Sequence, residues 1–195
     1  GWRMTAFSAS EPRVRPLSHL LRGMVSLDPD LASIVVTNLT LDSRKVESGS
    51  LFIAMRGNKA DGRDFVNHAV NSGAAAVLVE NDINGINHFD GMCLAIPDLR
   101  SKVGVIADRF FDHPSSRLFV IGVTGTNGKT SCAFLLTQAL NALGKKSGFI
   151  GTTGWGFDGN LQKSELTTPD AVTLQSQLSQ LVTAGADGVC LEVSS

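Results

Sequence analysis

"GVTGTNGKTS", residues 122–131, is the stretch on which the reading of this chain turns. It follows the apolar run "LFVI" and leads into "CAFLLTQALNAL", so a buried strand passes through a glycine-bearing loop into a helix. Glycine lets successive backbone N–H groups turn towards one point, and the start of a helix favours negative charge. Gly128-Lys129-Thr130 fits the end of the phosphate-loop pattern G-x-x-x-x-G-K-[ST], in which the lysine meets the β- and γ-phosphates and the hydroxyl meets Mg²⁺. The first glycine is out of register. Val123 stands at its position, with Gly122 one residue early and Gly125 inside the loop. The plain alternative is an ordinary Gly-rich turn; against it stands a Gly-Lys-Thr placed at the head of a helix behind a buried strand.

Outward from this loop the chain alternates strands and helices. Downstream, "KTSCAFLLTQALNAL" reads as a helix with Cys132, Leu135, Leu136, Ala139 and Leu143 as its buried stripe. "SGFIGT" (147–152) reads as a strand. "TTPDAVTLQSQLSQLVTAG" is a helix with Thr168 as cap, Pro169 at its first position, Asp170 on the dipole and Leu174, Leu178 and Leu181 inward. "GVCLEV" (188–193) is another strand. Upstream, "LTLDSR" (39–44), "SLFIAM" (50–55), "AAAVLVE" (74–80) and "CLAIPD" (93–98) read as strands. "GRDFVNHAVNSG" (62–73) is a helix with Phe65, Ala69 and Val70 on one face, and "LRSKVGVIADRFF" (99–111) is a second, through Val103, Ile106, Ala107 and Phe110. Residues 81–91 read as a polar loop. This rhythm predicts an α/β fold with parallel βαβ units: an N-terminal α/β domain over 1–97, bounded at Pro97, and an incomplete doubly wound phosphate-loop domain over 98–195.

Composition narrows the partners. The 195 residues are 43% hydrophobic and carry 17 basic against 18 acidic side chains. Such a balance gives no general electrostatic pull towards nucleic acid or an anionic membrane, and no apolar run approaches the about 18 residues of a membrane span. Cys93, Cys132 and Cys190 are far apart and without a C-x-x-C, which points to a reduced, cytoplasmic protein with neither disulfides nor a zinc site. The four histidines, His19, His68, His88 and His113, are equally scattered. The N-terminal "GWRMTAFSASEPRVRPLSHLL" lacks the apolar core of a signal peptide. "GVCLEVSS" stops directly after a strand that delivers polar residues to a sheet edge, and a truncated protein is the expectation.

"VIGVTGTNGKTS" resembles the ATP loop of the Mur ligase family, companion folylpolyglutamate synthetases included, whose Thr-Asn-Gly-Lys-Thr variant carries the same off-register first glycine. "LTLDSRKVESGSLFIAMRGNKADGRDFVNHAVNSGAAAVLVE" resembles the N-terminal domain of the branch that adds diaminopimelate or lysine to UDP-N-acetylmuramoyl-L-alanyl-D-glutamate. "GFIGTTGWG", "LTTPDAVTLQSQL" and "LEVSS" resemble further segments of that branch, and the likeness covers nearly all of residues 39–195. A weaker "DSR…LF-A" pattern is shared with the branch that adds D-alanyl-D-alanine, which stays open as an alternative, as does a non-catalytic UDP-sugar-binding module. A phosphate-loop kinase or switch would need an acceptor site or switch segment, and neither is legible.

The resemblance implies roles residue by residue. Gly125, Thr126, Asn127, Gly128, Lys129, Thr130 and Ser131 would bind ATP, with Lys129 also catalytic. Thr130 and Glu192 would hold Mg²⁺. Leu41 and Ser43, with Asn58, Lys59 and Ala60 in "GNKADG", would hold the uridine diphosphate, and Thr167, Thr168 and Ser194 the muramoyl-peptide end. Read without it, "GNKADG" is a polar turn, Thr167-Thr168-Pro169 a helix cap, and Glu192 a strand residue at the sheet end where ligands bind in doubly wound folds. Arg44 is as well suited to pair with Asp42 as with a ligand. The implied partners are the UDP-muramoyl dipeptide and diaminopimelate or lysine. The family's carbamylated lysine and its amino-acid-binding C-terminal domain lie downstream of this chain, so the expectation is that these residues alone do not turn over.

Overall fold

The computed structural model describes residues 13–57, 60–80, 92–164 and 169–194. The described chain divides into two compact units after Phe110.

In the first unit a short antiparallel pair, β1 (Arg15–Pro16) with β2 (Val35–Val36), frames two one-turn helices, α1 (Leu17–Leu20) and α2 (Pro29–Ser33). Four strands follow: β3 (Asn38–Thr40), β4 (Ser50–Ala54), β5 (Ala76–Glu80) and β6 (Cys93–Ile96). They are parallel and lie side by side in chain order. Helices α3 (Val66–Asn71) and α4 (Leu99–Phe110) cover them. The period of two decides which side chain goes where. Phe52, Ala54, Val77 and Val79 pack with Val66 and Ala69 of α3, while Leu51, Ile53 and Leu78 point the other way and are also buried.

Three expectations shift here. "LTLDSR" leaves the sheet at Thr40, because the Thr40 hydroxyl accepts from the Asp42 N–H (3.0 Å) and the Asp42 carboxylate from the Arg44 N–H (3.0 Å). Side-chain oxygens that take backbone donors compete with the ladder, and a 3₁₀ turn, Ser43–Lys45, results. The helix expected over 62–73 begins as a 3₁₀ turn, Gly62–Phe65, capped by Asp61. That change of pitch buries Val66 and Ala69, and leaves Phe65 and Val70 exposed. Pro97 does not end the unit. The stripe Leu99, Val103, Ile106, Ala107 and Phe110 is buried, with α4 lying against β5 and α1, so the division falls at the end of α4.

The second unit runs β7 (Phe119–Val123), α5 (Lys129–Ala142), β8 (Ser147–Gly151), β9 (Gly154–Phe157), β10 (Asn160–Gln162), α6 (Ala171–Thr183), β11 (Gly188–Glu192). The sheet order is β10-β9-β8-β11-β7, with β8, β11 and β7 parallel and β9 and β10 antiparallel. Phe149 and Cys190 face α5 through Ala133. Ile150 and Val189 face Leu178 and Leu181 of α6. Adjacent residues of one strand thus meet helices on opposite faces, which makes the sheet doubly wound as expected. Each fully buried leucine of α6 contributes about 1.5–3 kcal/mol.

The stripe of α5 lies one residue away from the expected one. Ala133 and Thr137 are buried, Leu136 and Leu140 pack partly, and Cys132 is exposed, as are Leu135 (63%) and Leu143 (80%). Small side chains let the helix sit close over Phe149, whose ring meets that of Phe134 edge-on at 5.7 Å. The Thr137 hydroxyl is satisfied by donating to the Ala133 carbonyl (2.9 Å). The cap of α6 is Asp170, which accepts from the Thr173 N–H at 2.9 Å, and Pro169 precedes it. Thr168 lies outside the described residues.

Candidate functional site

The three parallel strands of the second unit end on the same side, and each hands over to part of one site. From β7 the chain passes through Thr124–Asn127 to Gly128, whose φ of 77° lies in the left-handed region that suits glycine. Lys129 then opens α5, with the first-turn N–H groups of the helix directed into the loop. The Lys129 ammonium donates to the Gly125 carbonyl, so the cation is folded over the loop.

The neighbour of β7 is β11, although β8 and α6 intervene in sequence. This order carries Glu192 to the head of α5. The Thr130 hydroxyl donates to Glu192 Oε2 at 3.0 Å. From the end of β8, Thr152 donates twice to the same carboxylate: its backbone N–H to Oε1 at 3.0 Å and its hydroxyl to Oε2 at 3.1 Å. Glu192 is only 6% exposed, and a carboxylate so buried is tolerated because it is hydrogen-bonded on both oxygens. Gly151 completes the arrangement by having no side chain. A Cβ there would lie 2.1 Å from Glu192 Oε1 and 2.5 Å from Phe149 Cζ.

A cavity of about 270 Å³ opens here, lined by Thr126 to Thr130 with Thr152, Glu192 and Ser194. The geometry therefore brings Thr126, Asn127, Gly128, Lys129, Thr130, Glu192 and Ser194 to one place. Gly125 supplies the carbonyl behind Lys129, and Ser131 sits in the first turn of α5, outside the lining. Thr152 is the residue that sequence reading missed. Its signal was modest: the first polar residue after a buried strand, at the end of the sheet where ligands bind.

The donor set can be tested for fit to a cation. Thr130 and Glu192 offer hard oxygen atoms, and among the described residues no three His, Cys, Asp or Glu side chains cluster as a metal cage. A single carboxylate with a hydroxyl suits Mg²⁺, which binds few protein groups and fills its shell with water and phosphate oxygens.

Leu41, Ser43 and Ala60 lie in the first unit, in the loops that leave the carboxyl ends of β3 and β4. Ser43 is buried, and Ala60 accepts from the Gly57 N–H at 2.9 Å. Asn58, Lys59, Thr167 and Thr168 are outside the described residues. Beside Ser43, Arg44 grips Asp42 through Nε (2.9 Å) and Nη2 (2.7 Å). Arg63 grips Asp61 in the same way, at 2.9 and 2.6 Å. These bonds hold the Asp42 carboxyl down at about 2 and lower that of Asp61. Trp155 packs against the α6-side cluster.

Two family profiles match the chain: "Mur ligase family, catalytic domain" over residues 35–107 and "Mur ligase middle domain" over residues 123–195. Among curated proteins, the UDP-N-acetylmuramoyl-L-alanyl-D-glutamate–2,6-diaminopimelate ligase of Ectopseudomonas mendocina is 45% identical over 181 residues, covering 92% of this chain and 36% of that protein. The ligase of the same name from Coxiella burnetii is 42% identical over 165 residues, 84% of this chain and 34% of its own. The chain thus spans about a third of the length of these relatives. Among solved structures, a UDP-N-acetylmuramoyl-L-alanyl-D-glutamate–2,6-diaminopimelate ligase superposes over 93% of this chain with a TM-score of 0.76 at 29% identity, this chain covering 36% of it. MurF from Acinetobacter baumannii shares the fold at a TM-score of 0.61 and 19% identity, over 94% of this chain and 36% of its own.

Proposed function

We propose, for a chain that belongs to the Mur ligase family, that it forms the N-terminal and ATP-loop portion of a ligase joining diaminopimelate, or lysine, to UDP-N-acetylmuramoyl-L-alanyl-D-glutamate. The observation that carries this reading is the Thr130 hydroxyl set 3.0 Å from the buried Glu192 carboxylate at the head of a Gly-Lys-Thr loop, in a chain 42–45% identical to ligases of that name.

The chemistry explains why such a loop is needed. A carboxylate oxygen is a poor leaving group, so an amide cannot form from a carboxylate and an amine without activation. In this reading the D-glutamate carboxylate attacks the γ-phosphorus of ATP, ADP departs, and an acyl phosphate results. The amine nitrogen then attacks the acyl carbon, phosphate leaves with the C–O electron pair, and the amine loses a proton. Lys129 neutralises charge on the β- and γ-phosphates, and the first-turn N–H groups of α5 hold them in place. Magnesium at Thr130 and Glu192 would supply further shielding of the phosphate oxygens. Ser194, on the rim of the same cavity, is placed to meet the muramoyl-peptide end. Leu41, Ser43, Asn58, Lys59 and Ala60 hold the uridine diphosphate, and Thr167 and Thr168 the peptide.

No helix among the described residues is long and apolar enough to cross a membrane. Our reading is of a cytoplasmic enzyme acting on a nucleotide-linked precursor. The test is product analysis with the complete gene product, ATP and the UDP-muramoyl dipeptide. ATP-dependent amide formation with diaminopimelate or lysine is the expected result. Transfer of D-alanyl-D-alanine to a tripeptide instead, or ATP hydrolysis with no amide, would overturn it.

A further inference from the structure

We propose that Thr152 is the positioning residue of this site, and that the tight β8–β9 turn exists to hold it. The proposal rests on the reading of Thr130 and Glu192 as the cation-binding pair, and adds what fixes the carboxylate in place.

A glutamate at the end of a strand has three side-chain torsions and would ordinarily sample several orientations. Here the carboxylate plane is set by two atoms of one residue. The Thr152 backbone N–H holds Oε1 and the Thr152 hydroxyl holds Oε2. The two bonds run to different oxygens, so they fix the rotation of the group as well as its position. Thr130 approaches Oε2 as well, leaving Oε1, among the described residues, with one protein donor and lone-pair capacity to spare.

Thr152 is itself held by the fold. Gly151 pairs with Gly154 in an antiparallel register, so Thr152 and Thr153 are the two residues of a tight hairpin loop. Gly154 has a φ of 141°, and a Cβ on it would meet the Gln162 carbonyl of β10 at 2.4 Å. The β9–β10 hairpin therefore anchors the turn from behind, and the bare Gly151 lets the Glu192 side chain lie against the backbone of β8. Thr152 is exposed. A merely structural threonine would gain nothing from this placement, whereas a residue that orients a ligand must stand at the cavity wall, as Thr152 does.

Orienting partners of this kind typically change metal affinity by about 10–100-fold when removed. The test uses the complete gene product with ADP, and Mn²⁺ as the probe cation, free Mn²⁺ being read by electron paramagnetic resonance. Three proteins are compared: the unchanged chain, Thr152→Val, which keeps shape and the backbone donor but loses the hydroxyl, and Thr152→Ser, which restores it. The expected result is about tenfold weaker Mn²⁺ binding for Thr152→Val, recovery in Thr152→Ser, and a cooperative thermal melt retained by all three without metal. Equal Mn²⁺ affinity in all three would overturn the role of Thr152 while leaving the cation site standing. No ADP-dependent Mn²⁺ binding by the unchanged chain would overturn the cation-site reading and this proposal with it. Weak binding in both variants would also overturn it, since the hydroxyl would then not be the active element.

Discussion

The two larger sheets of this molecule, one parallel and one mixed, end in different ways. In the first unit, β3, β4, β5 and β6 stand in chain order, and the loops leaving β3 and β4 cap themselves. Asp42 with Arg44 and Asp61 with Arg63 are partners two residues apart. In the second unit β11 is inserted between β7 and β8, and the contacts at the strand ends reach across the sequence. Thr130 meets Glu192 over 62 residues, and Thr152 meets it over 40. Strand order thus decides whether a sheet edge merely closes its own turns or gathers distant side chains into a polar cavity. The second edge holds a polar cavity because three loops converge there, each from a different strand.

That contrast can be broken at several points. The largest effect is expected from Lys129→Ala, which removes the cation folded over the loop. Hydrogen bonds to charged groups are worth about 1.5–3 kcal/mol, so ADP affinity measured by calorimetry should fall about 10–100-fold while the melting temperature stays near that of the unchanged chain. Next comes Gly151→Ala. Its Cβ cannot fit between Glu192 and Phe149, and overpacking of this kind costs about 1–3 kcal/mol. Denaturant unfolding should show that loss, together with weakened nucleotide binding, because Glu192 must move.

The smallest effect belongs to the self-capped edge. Asp42→Asn removes an ion pair whose arginine is exposed to solvent, so screening limits its worth to under about 1 kcal/mol. The Asp42 carboxyl lies at about 2 against an ordinary 3.8. A lowered carboxyl adds stability above its unfolded value and loses it as pH falls. The difference between Asp42→Asn and the unchanged chain should therefore be constant at neutral pH and shrink as pH falls from about 4 to about 2. A difference as large at pH 2 as at neutral pH would contradict the assignment.

What could be read from the sequence follows the same division. The strand–loop–helix turn at "GTNGKTS" was legible because its three pieces are consecutive in the sequence. Glu192 was legible as the polar end of a buried strand, but its contact with Thr130 was inferred by resemblance, since nothing local predicts which strand lies between which. Thr152 was missed for that reason: its two partner atoms belong to a residue 40 positions away. The stripe of α5 was misread because helical spacing permits two adjacent faces, and only packing over Phe149 selects Ala133 and Thr137. The Pro97 boundary failed because α4 starts just beyond it, yet its apolar stripe belongs to the sheet before it.

The central claim is that Glu192, brought beside Thr130 by strand order, holds a cation against nucleotide phosphates. Calorimetry of ADP binding with and without Mg²⁺, for the unchanged chain and for Glu192→Gln, tests it most directly. We expect Mg²⁺ to tighten ADP binding in the unchanged chain, and that gain to fall about tenfold or more in Glu192→Gln. An identical Mg²⁺ dependence in both proteins would contradict it.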